Sequence, residues 1–276
     1  MARAGHAGSG LAAIPALMAL ADATQQLRVG SRVICMDFRH PVVLANEMAT
    51  IDVFSEGRLE LGLGAGWLAN EYEAMGIPFD PAPTRIDRLA EAVSLLKLLF
   101  GEGPVLFHGE HFHVEGVDGA PKPAQRPHPP IVIGGGGRRV LQLAGREADI
   151  VSLNFKNPSG ALSPDGVQRS TEEFTVPKIE WIREGAGDRF DELQIDVGIY
   201  YTLVTDDARG VAEAMCTRFG VTATDMLRHP HSLIGSPDGI CEELLRRRET
   251  YGVSYVAIGA DAAVAFAPVV ARLAGN

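Results

Sequence analysis

Cysteine is scarce and unpaired: the 276 residues hold three, Cys35, Cys216 and Cys241, far apart along the chain. That spacing excludes a disulfide framework and a zinc knuckle, and it fits a reducing, cytoplasmic compartment. Basic charge is also short, with 25 Lys and Arg against 35 Asp and Glu and a net charge of -10. A surface built for nucleic acid or an anionic membrane is thereby excluded, although a local basic pocket is not. No run reaches the roughly 18 apolar residues of a membrane span. Leu11 to Ala23 resembles the apolar part of a secretion signal, but it contains Pro15 and leads into a strand without a cleavage site, so it is read as a folded helix. Low-complexity tracts and short-period repeats are absent as well.

Apolar side chains are abundant, at 46%, enough to bury a large core as one domain over residues 1–276, a size that α/β barrels commonly reach. Glycine is densest at Gly134 to Gly137. Pro129 and Pro130 stop any helix before that run, and Ile131, Val132 and Ile133 read as a strand buried on both faces. After it, Arg138 to Gly145 carries Val140, Leu141, Leu143 and Ala144 at helical spacing, with Gly145 as the cap. Strand, bare loop and helix start make an anion cradle. Glycine lets backbone N–H groups come close, the helix N-terminus adds partial positive charge, and Arg138 and Arg139 add two full ones. The plainer alternative is a flexible turn. Position favours the cradle, because α/β folds place ligands at the carboxyl ends of buried strands, and the implied guest carries a phosphate.

Elsewhere the periodicity predicts helices over Ile14–Thr24, His40–Phe54, from Thr84 to Phe100 with Thr84 and Asp87 as a capping pair, Phe174–Glu184, Val211–Phe219 capped by Gly220, Ser236–Tyr251 and Ala263–Leu273. Strands are predicted over Leu27–Cys35, Arg58–Leu63, Ile150–Leu153, Leu193–Val204 and Ser254–Ile258. Phe107–Val114 is an aromatic and histidine-rich excursion, and Asn157–Ser170 a polar loop. Strands alternating with helices imply crossover connections and a parallel sheet.

Four stretches, FRHPVVLANEMATIDVFSEGRLELGLGAGW (Phe38–Trp67), PKPAQRPHPPIVIGGGG (Pro121–Gly137), AGREADIVSLN (Ala144–Asn154) and GSPDGICEEL (Gly235–Leu244), resemble the bacterial luciferase-like monooxygenase family, most of all its coenzyme F420-dependent oxidoreductases. The resemblance implies an α/β TIM (β/α)8 barrel with a flavin or deazaflavin across the carboxyl ends of its strands. It places the cofactor phosphate on Gly136 and Gly137, with Arg139 and Val140 just after, in agreement with the cradle. It places Ala65 and Gly66 against the ring, with Asn70 near the ring's polar edge, and a nonprolyl cis peptide between Arg32 and Val33, with Cys35 close by. A planar ring lies on backbone only where no side chain intrudes, which is what small residues provide. GLGAGW also brings a dinucleotide fingerprint to mind, but its spacing is GxGxG and no acidic residue follows at the usual distance.

Two departures stand out. Trp67 occupies the position where the family's sugar-phosphate dehydrogenases carry an acid, and only His6, after Gly5 rather than an aspartate, matches the family's active-site histidine. His108, His111 and His113 resemble metal ligands, but no helical spacing aligns them and no metal is expected. Asn154 and Lys156 follow a strand end on the ligand face, with Lys156 read as a solvated lysine before a contact for an anionic substrate, and Glu242, Glu243, Arg246, Arg247 and Arg248 as an exposed helix face. The thirteen residues before Ile14 are too few for two strands and a crossover, so six parallel strands with open edges at the Leu27 and Ser254 strands are expected, the barrel's first two being absent. Such edges invite aggregation, so poor solubility alone, or an upstream start, is expected. The reading is an oxidoreductase passing a hydride between F420 and a small organic substrate, with His6 as candidate proton donor, no nucleic-acid or membrane partner, and homo-oligomerisation as is usual in the family. An FMN-dependent monooxygenase and a noncatalytic ligand-binding remnant are the alternatives.

Overall fold

The computed structural model describes residues 11–157, 160–161 and 164–275. It divides into two compact units, the first running to Gly134 with Glu147–Asp149, the second comprising Gly135–Arg146 and the chain from Ile150 onward. Each is taken in turn.

The first unit holds α1 (Ala13–Ala23), β1 (Val29–Gly30), β2 (Ile34–Cys35), α2 (Pro41–Phe54), β3 (Leu59–Gly64), α3 (Ala69–Met75), α4 (Ala82–Phe100), β4 (Pro104–His108), β5 (His113–Asp118) and most of β6 (Ile131–Gly135). β3 is its centre: all six residues are buried, and it pairs in parallel with β1 and β2 on one side and β6 on the other. The expected Leu27–Cys35 strand is therefore two short pieces. Between them Ser31 leaves the ladder, its Oγ donating to Gly62 O (3.0 Å) and accepting from Gly62 N–H (3.2 Å), and the Arg32–Val33 peptide is cis. This detour presses on β3. A Cβ on Gly62 would lie 1.8 Å from Ser31 O and one on Gly64 2.6 Å from Val33 Cγ2, so the glycines of LGLG are required by chain crossing before any ligand is considered.

The helix α2 starts as expected, with Pro41 in its first turn and the His40 side chain accepting from Val42 N–H. α4 begins two residues before Thr84, so Thr84 and Asp87 lie inside it instead of opening it; the residue before the helix is Pro81, whose side chain has no group to offer. Leu89, Ala92, Val93, Leu96 and Leu99 are its fully buried stripe. The Phe107–Val114 excursion is an antiparallel hairpin, β4 against β5, whose turn is held by Glu91 accepting from the N–H groups of Glu110, His111 and Phe112.

The second unit holds α5 (Arg138–Glu147, all but its last residue), β7 (Ile150–Leu153), α6 (Pro164–Gln168), α7 (Glu172–Ala186), β8 (Gln194–Gly198), β9 (Tyr201–Val204), α8 (Ala208–Phe219), α9 (Ala223–Arg228), β10 (Ser232–Gly235), α10 (Pro237–Tyr251), β11 (Val253–Ala257) and α11 (Ala263–Leu273). β8 pairs in parallel with β7 and β11. The expected single strand over Leu193–Val204 changes partner halfway: Ile199 N–H still donates to Ala257 O, but Tyr200 N–H and Tyr201 N–H donate to His231 O, and β9 continues beside β10. Gly145 does not cap α5 but lies within it, because α5 and α7 touch backbone to backbone; a Cβ on Gly145 would meet Ile182 O at 2.3 Å, and one on Gly185 would meet Gln142 O at 2.1 Å. Arg247 is not on an exposed face either. It is fully buried, donating to the carbonyls of His229, Pro230 and Ser232 and to Glu243.

Counting β1 and β2 as halves of one strand, six parallel strands of the expected set are present with β3, β6, β7, β8 and β11, and β9–β10 form a separate pair. Among the described residues β1 pairs only with β3 and β11 only with β8. No described helix is long and apolar enough to cross a membrane.

Candidate functional site

In the first unit, β3 runs out into Ala65, Gly66 and Trp67, and this loop is pinned from its carbonyl side. Arg85, 6% exposed, donates from Nη1 to Ala65 O (2.9 Å) and to Gly66 O, while its guanidinium stacks on Phe79 at 4.2 Å. Tyr72, 1% exposed on α3, donates to Asp37 Oδ2 (2.7 Å) and lies 3.2 Å from Cys35 Sγ. Arg88 closes the set by pairing with Asp37 (2.8 Å) and Asp80. Burial, with a lesser opposing effect from the Tyr72 hydrogen bond, raises the Cys35 thiol, and burial followed by the Cys35 and Asp37 hydrogen bonds raises the Tyr72 phenol. Both stay protonated at neutral pH. Gly66 has φ +69°, and its Cβ would fall 1.9 Å from the Tyr72 hydroxyl and 2.8 Å from Cys35 Sγ. Cys35 thus sits under Gly66 as part of the brace.

Arg32 and Val33 line a cavity of about 500 Å³ between α1 and Gly30–Cys35, together with Phe38 and Arg39. Asn70, in the first turn of α3, and Trp67 are exposed at the loop. His6 lies outside the described residues.

In the second unit, the glycine loop is shaped by what lies behind it. A Cβ on Gly136 would meet Phe155 O at 2.4 Å and Asn154 O at 2.5 Å, whereas one on Gly137 would meet nothing within 4 Å. One glycine is thus required by packing and the next faces open space at the start of α5, where Gly137 O accepts the Leu141 N–H. Val140 is buried with its Cγ1 against Gly135, which assigns it to packing beneath the loop. Arg138 is committed to Glu184 on α7 (2.9 Å), so the two full charges expected there are not both directed at the loop; Arg139 is exposed.

A charge that sequence reasoning missed stands behind the loop. Lys178 of α7 is 2% exposed and donates to Asn154 O (2.9 Å), the same carbonyl that a Gly136 Cβ would strike. Burial, with Lys156 as a secondary cause, lowers its pKa from 10.5 to about 8. Below about pH 8 both the folded and unfolded states hold the proton, so the burial cost is fully present at neutral pH; it fades as pH rises through the interval from about 8 to 10.5. Lys178→Met is therefore expected to stabilise the fold by about 1 to 2 kcal/mol at pH 7, the desolvation relieved less the hydrogen bond lost. Denaturant melts at pH 7 and pH 10 check this, the gap between variant and wild type narrowing at the higher pH.

Beyond β7 and β8, Asn154 Oδ1 accepts from the Tyr200 hydroxyl (2.8 Å), and the Phe155 ring contacts Tyr200 at 5.0 Å and His231 at 4.5 Å. Only Asn154 and Lys156 of this neighbourhood were singled out from sequence; Tyr200 and His231 arrive through the switch from β8 to β9, which periodicity does not mark. Behind them, His229 is fully buried, and burial outweighs its hydrogen bond to Val167 O, bringing its pKa down to about 4. Because the unfolded histidine takes up a proton at higher pH, stability is fully present above about 6.5 and falls as pH drops from there to about 4, by up to about 3 kcal/mol. His229→Gln, which keeps a donor for Val167 O, is expected to flatten the melting temperature against pH over that interval.

The family model for luciferase-like monooxygenases matches residues 2–235. The chain is 32% identical over 142 residues to an FMNH(2)-dependent dimethylsulfone monooxygenase of Pseudomonas putida, 51% of this chain and 39% of that protein. It is 31% identical over 220 residues to an F420-dependent glucose-6-phosphate dehydrogenase of Nakamurella multipartita, 78% of this chain and 58% of that one. Three of its curated relatives are matched over 39%, 45% and 42% of their lengths, so the chain spans less than half of each. Among solved structures, the coenzyme F420-dependent tetrahydromethanopterin reductase of Methanopyrus kandleri superposes with a TM-score of 0.75 at 20% identity, covering 96% of this chain and 87% of that one. A long-chain alkane monooxygenase gives 0.74 at 17% identity, covering 96% and 73%. At these identities the two likenesses speak for the fold.

Proposed function

The chain belongs to the luciferase-like monooxygenase family, and on that premise we propose an oxidoreductase that passes a hydride between coenzyme F420 and a small organic substrate. The observation that carries the reading is the loop at Gly136 and Gly137. Its rear is filled by the Asn154–Phe155 backbone, its front at Gly137 is bare, and Lys178 holds a buried positive charge against the same Asn154 carbonyl. A cationic side chain kept out of water without a carboxylate beside it costs stability, and a bound phosphate offsets that cost.

Each unit's residues fit one part of a ring cofactor with a phosphate tail. In the second unit, Gly137 and the N-terminus of α5 would hold a phosphate, with Lys178 behind them; in the first, Ala65 and Gly66 would offer a planar ring a surface free of large side chains. The cofactor, when bound, supplies the hydride chemistry. The chain's own part is to orient and to exclude water. Arg85 fixes the loop carbonyls from one side, with Tyr72, its proton committed to Asp37, packed against Gly66, so a ring on the other side meets a surface already held in place, which is the preorganisation that positioning requires. Trp67, exposed and unable to exchange a proton, stands where an acid would serve sugar-phosphate oxidation, and it supports a different substrate.

A second reading keeps the fold and exchanges F420 for reduced FMN, favoured by the dimethylsulfone monooxygenase likeness. Fluorescence titration of the purified chain with F420 and with FMN separates the two. Saturation by F420 at a concentration where FMN leaves the signal unchanged is the expected result; preference for FMN selects the second reading, and binding of neither ring leaves a noncatalytic member of the family.

A further inference from the structure

In the first unit, the hairpin of β4 and β5 does with its register what helical spacing could not. His108 pairs directly opposite His113, and Glu115, two residues along β5, falls on the same face as His113. The two rings are 4.2 Å apart with their Nδ1 atoms at 3.1 Å, and Glu115 Oε1 lies 2.8 Å from His113 Nε2 and 3.5 Å from His108 Nε2. We propose that His108, His113 and Glu115 form a binding site for a divalent transition-metal ion, zinc foremost, unrelated to the cofactor.

Three features support it. Two nitrogens on a tetrahedral zinc, each at about 2.0 to 2.1 Å, stand about 3.3 Å from one another, close to the spacing already set by the strand pairing. Two imidazoles and one carboxylate are a donor set that zinc, nickel and copper accept and that magnesium and calcium do not favour. The three side chains are 57%, 60% and 60% exposed, so each ring can turn one nitrogen toward an ion without unpacking anything, and water completes the shell. His111 is excluded, since it sits in the hairpin turn, where Glu91 holds its backbone N–H, and outside the group of converging ligand atoms. Because His108 comes from β4 and the other two ligands from β5, a bound ion would clip the strands together beside their turn.

The test uses the untagged full chain, stripped with a chelator and titrated calorimetrically with zinc, then with cobalt while following the visible bands of a tetrahedral site. One equivalent per chain is expected, with a rise in melting temperature. His113→Ala and, more conservatively, Glu115→Gln should each weaken zinc binding by at least about tenfold, as loss of a ligand or its support does in known sites, while His111→Ala leaves it unchanged. The variants sit on an exposed hairpin, and unchanged circular dichroism confirms that they fold. Absence of saturable binding, equal affinity in both ligand variants and the wild type, or an equal loss in His111→Ala overturns the assignment and leaves the cluster a surface hydrogen-bond group.

Discussion

Gly137→Asp is expected to weaken cofactor binding about 100-fold while leaving the fold slightly more stable, a like-charge cost of about 3 kcal/mol set against a few tenths gained as a helix cap. The two effects have opposite signs because they act on different groups. Nothing lies within 4 Å of a Cβ at this position, so the first side-chain atom enters without collision. Gly137 O accepts the first helical hydrogen bond of α5, from Leu141, and this is the position at which an aspartate satisfies free N–H groups. The same carboxylate stands where the phosphate would. The neighbouring substitution, Gly136→Asp, is a poorer probe, since its Cβ alone would strike Phe155 O, and a loss of binding would follow from misfolding as readily as from charge. Comparing dissociation constants and melting temperatures of wild type and Gly137→Asp checks the prediction; an unchanged constant would return the loop to an ordinary turn.

The second large effect is on stability. Gly66→Ala places a methyl group 1.9 Å from the Tyr72 hydroxyl at a backbone φ of +69°, and Tyr72 has no room to retreat, being bonded to Asp37 and flanked by the rings of Phe38 and Phe79, each at 4.9 Å. The left-handed backbone costs about 1 kcal/mol and the overpacking about 1 to 3, together lowering the melting temperature by roughly 5 to 15 °C in a chain of this size. Tyr72→Phe in the same background removes the atom that collides and should recover part of the loss, a coupling that a simple sum of the two single changes would not show. A melting temperature within about 2 °C of wild type, the outcome against the brace, would mean that the loop carbonyls are not held as described.

Elements written in local patterns are legible in the sequence. The Ser236–Tyr251 helix has its serine cap and glycine stop, the Ala263–Leu273 helix its spacing, and Ile150–Leu153 three apolar residues in a short run interrupted only by Ser152. The failures occur where distant chain decides. Ser31 replaces a ladder hydrogen bond with its own hydroxyl, so a run that alternates like one strand is two. Leu193–Val204 reads as one strand because both halves alternate, and only the carbonyl of His231, well beyond it in the chain, draws the second half to another partner. Gly145 reads as a cap because glycines usually are, but here it is a crossing point of two helices. In the candidate site, the glycines are visible as glycines, whereas Lys178 lies on a helix whose pattern gives no reason to bury a charge, and it meets the loop only through the Asn154 carbonyl. The histidines of the hairpin are visible too, but their alignment depends on a strand pairing that no helical period could reveal.

Whether this loop holds a phosphate or is merely a turn is tested most directly by a paired titration of the preferred ring cofactor with and without its phosphate. Wild type should prefer the phosphorylated form by at least about tenfold, the least that one charge-assisted contact contributes, and Gly137→Asp should abolish that preference while still binding the bare ring as wild type does. Equal affinity of wild type for the two forms, or a preference that survives the substitution, would contradict the account.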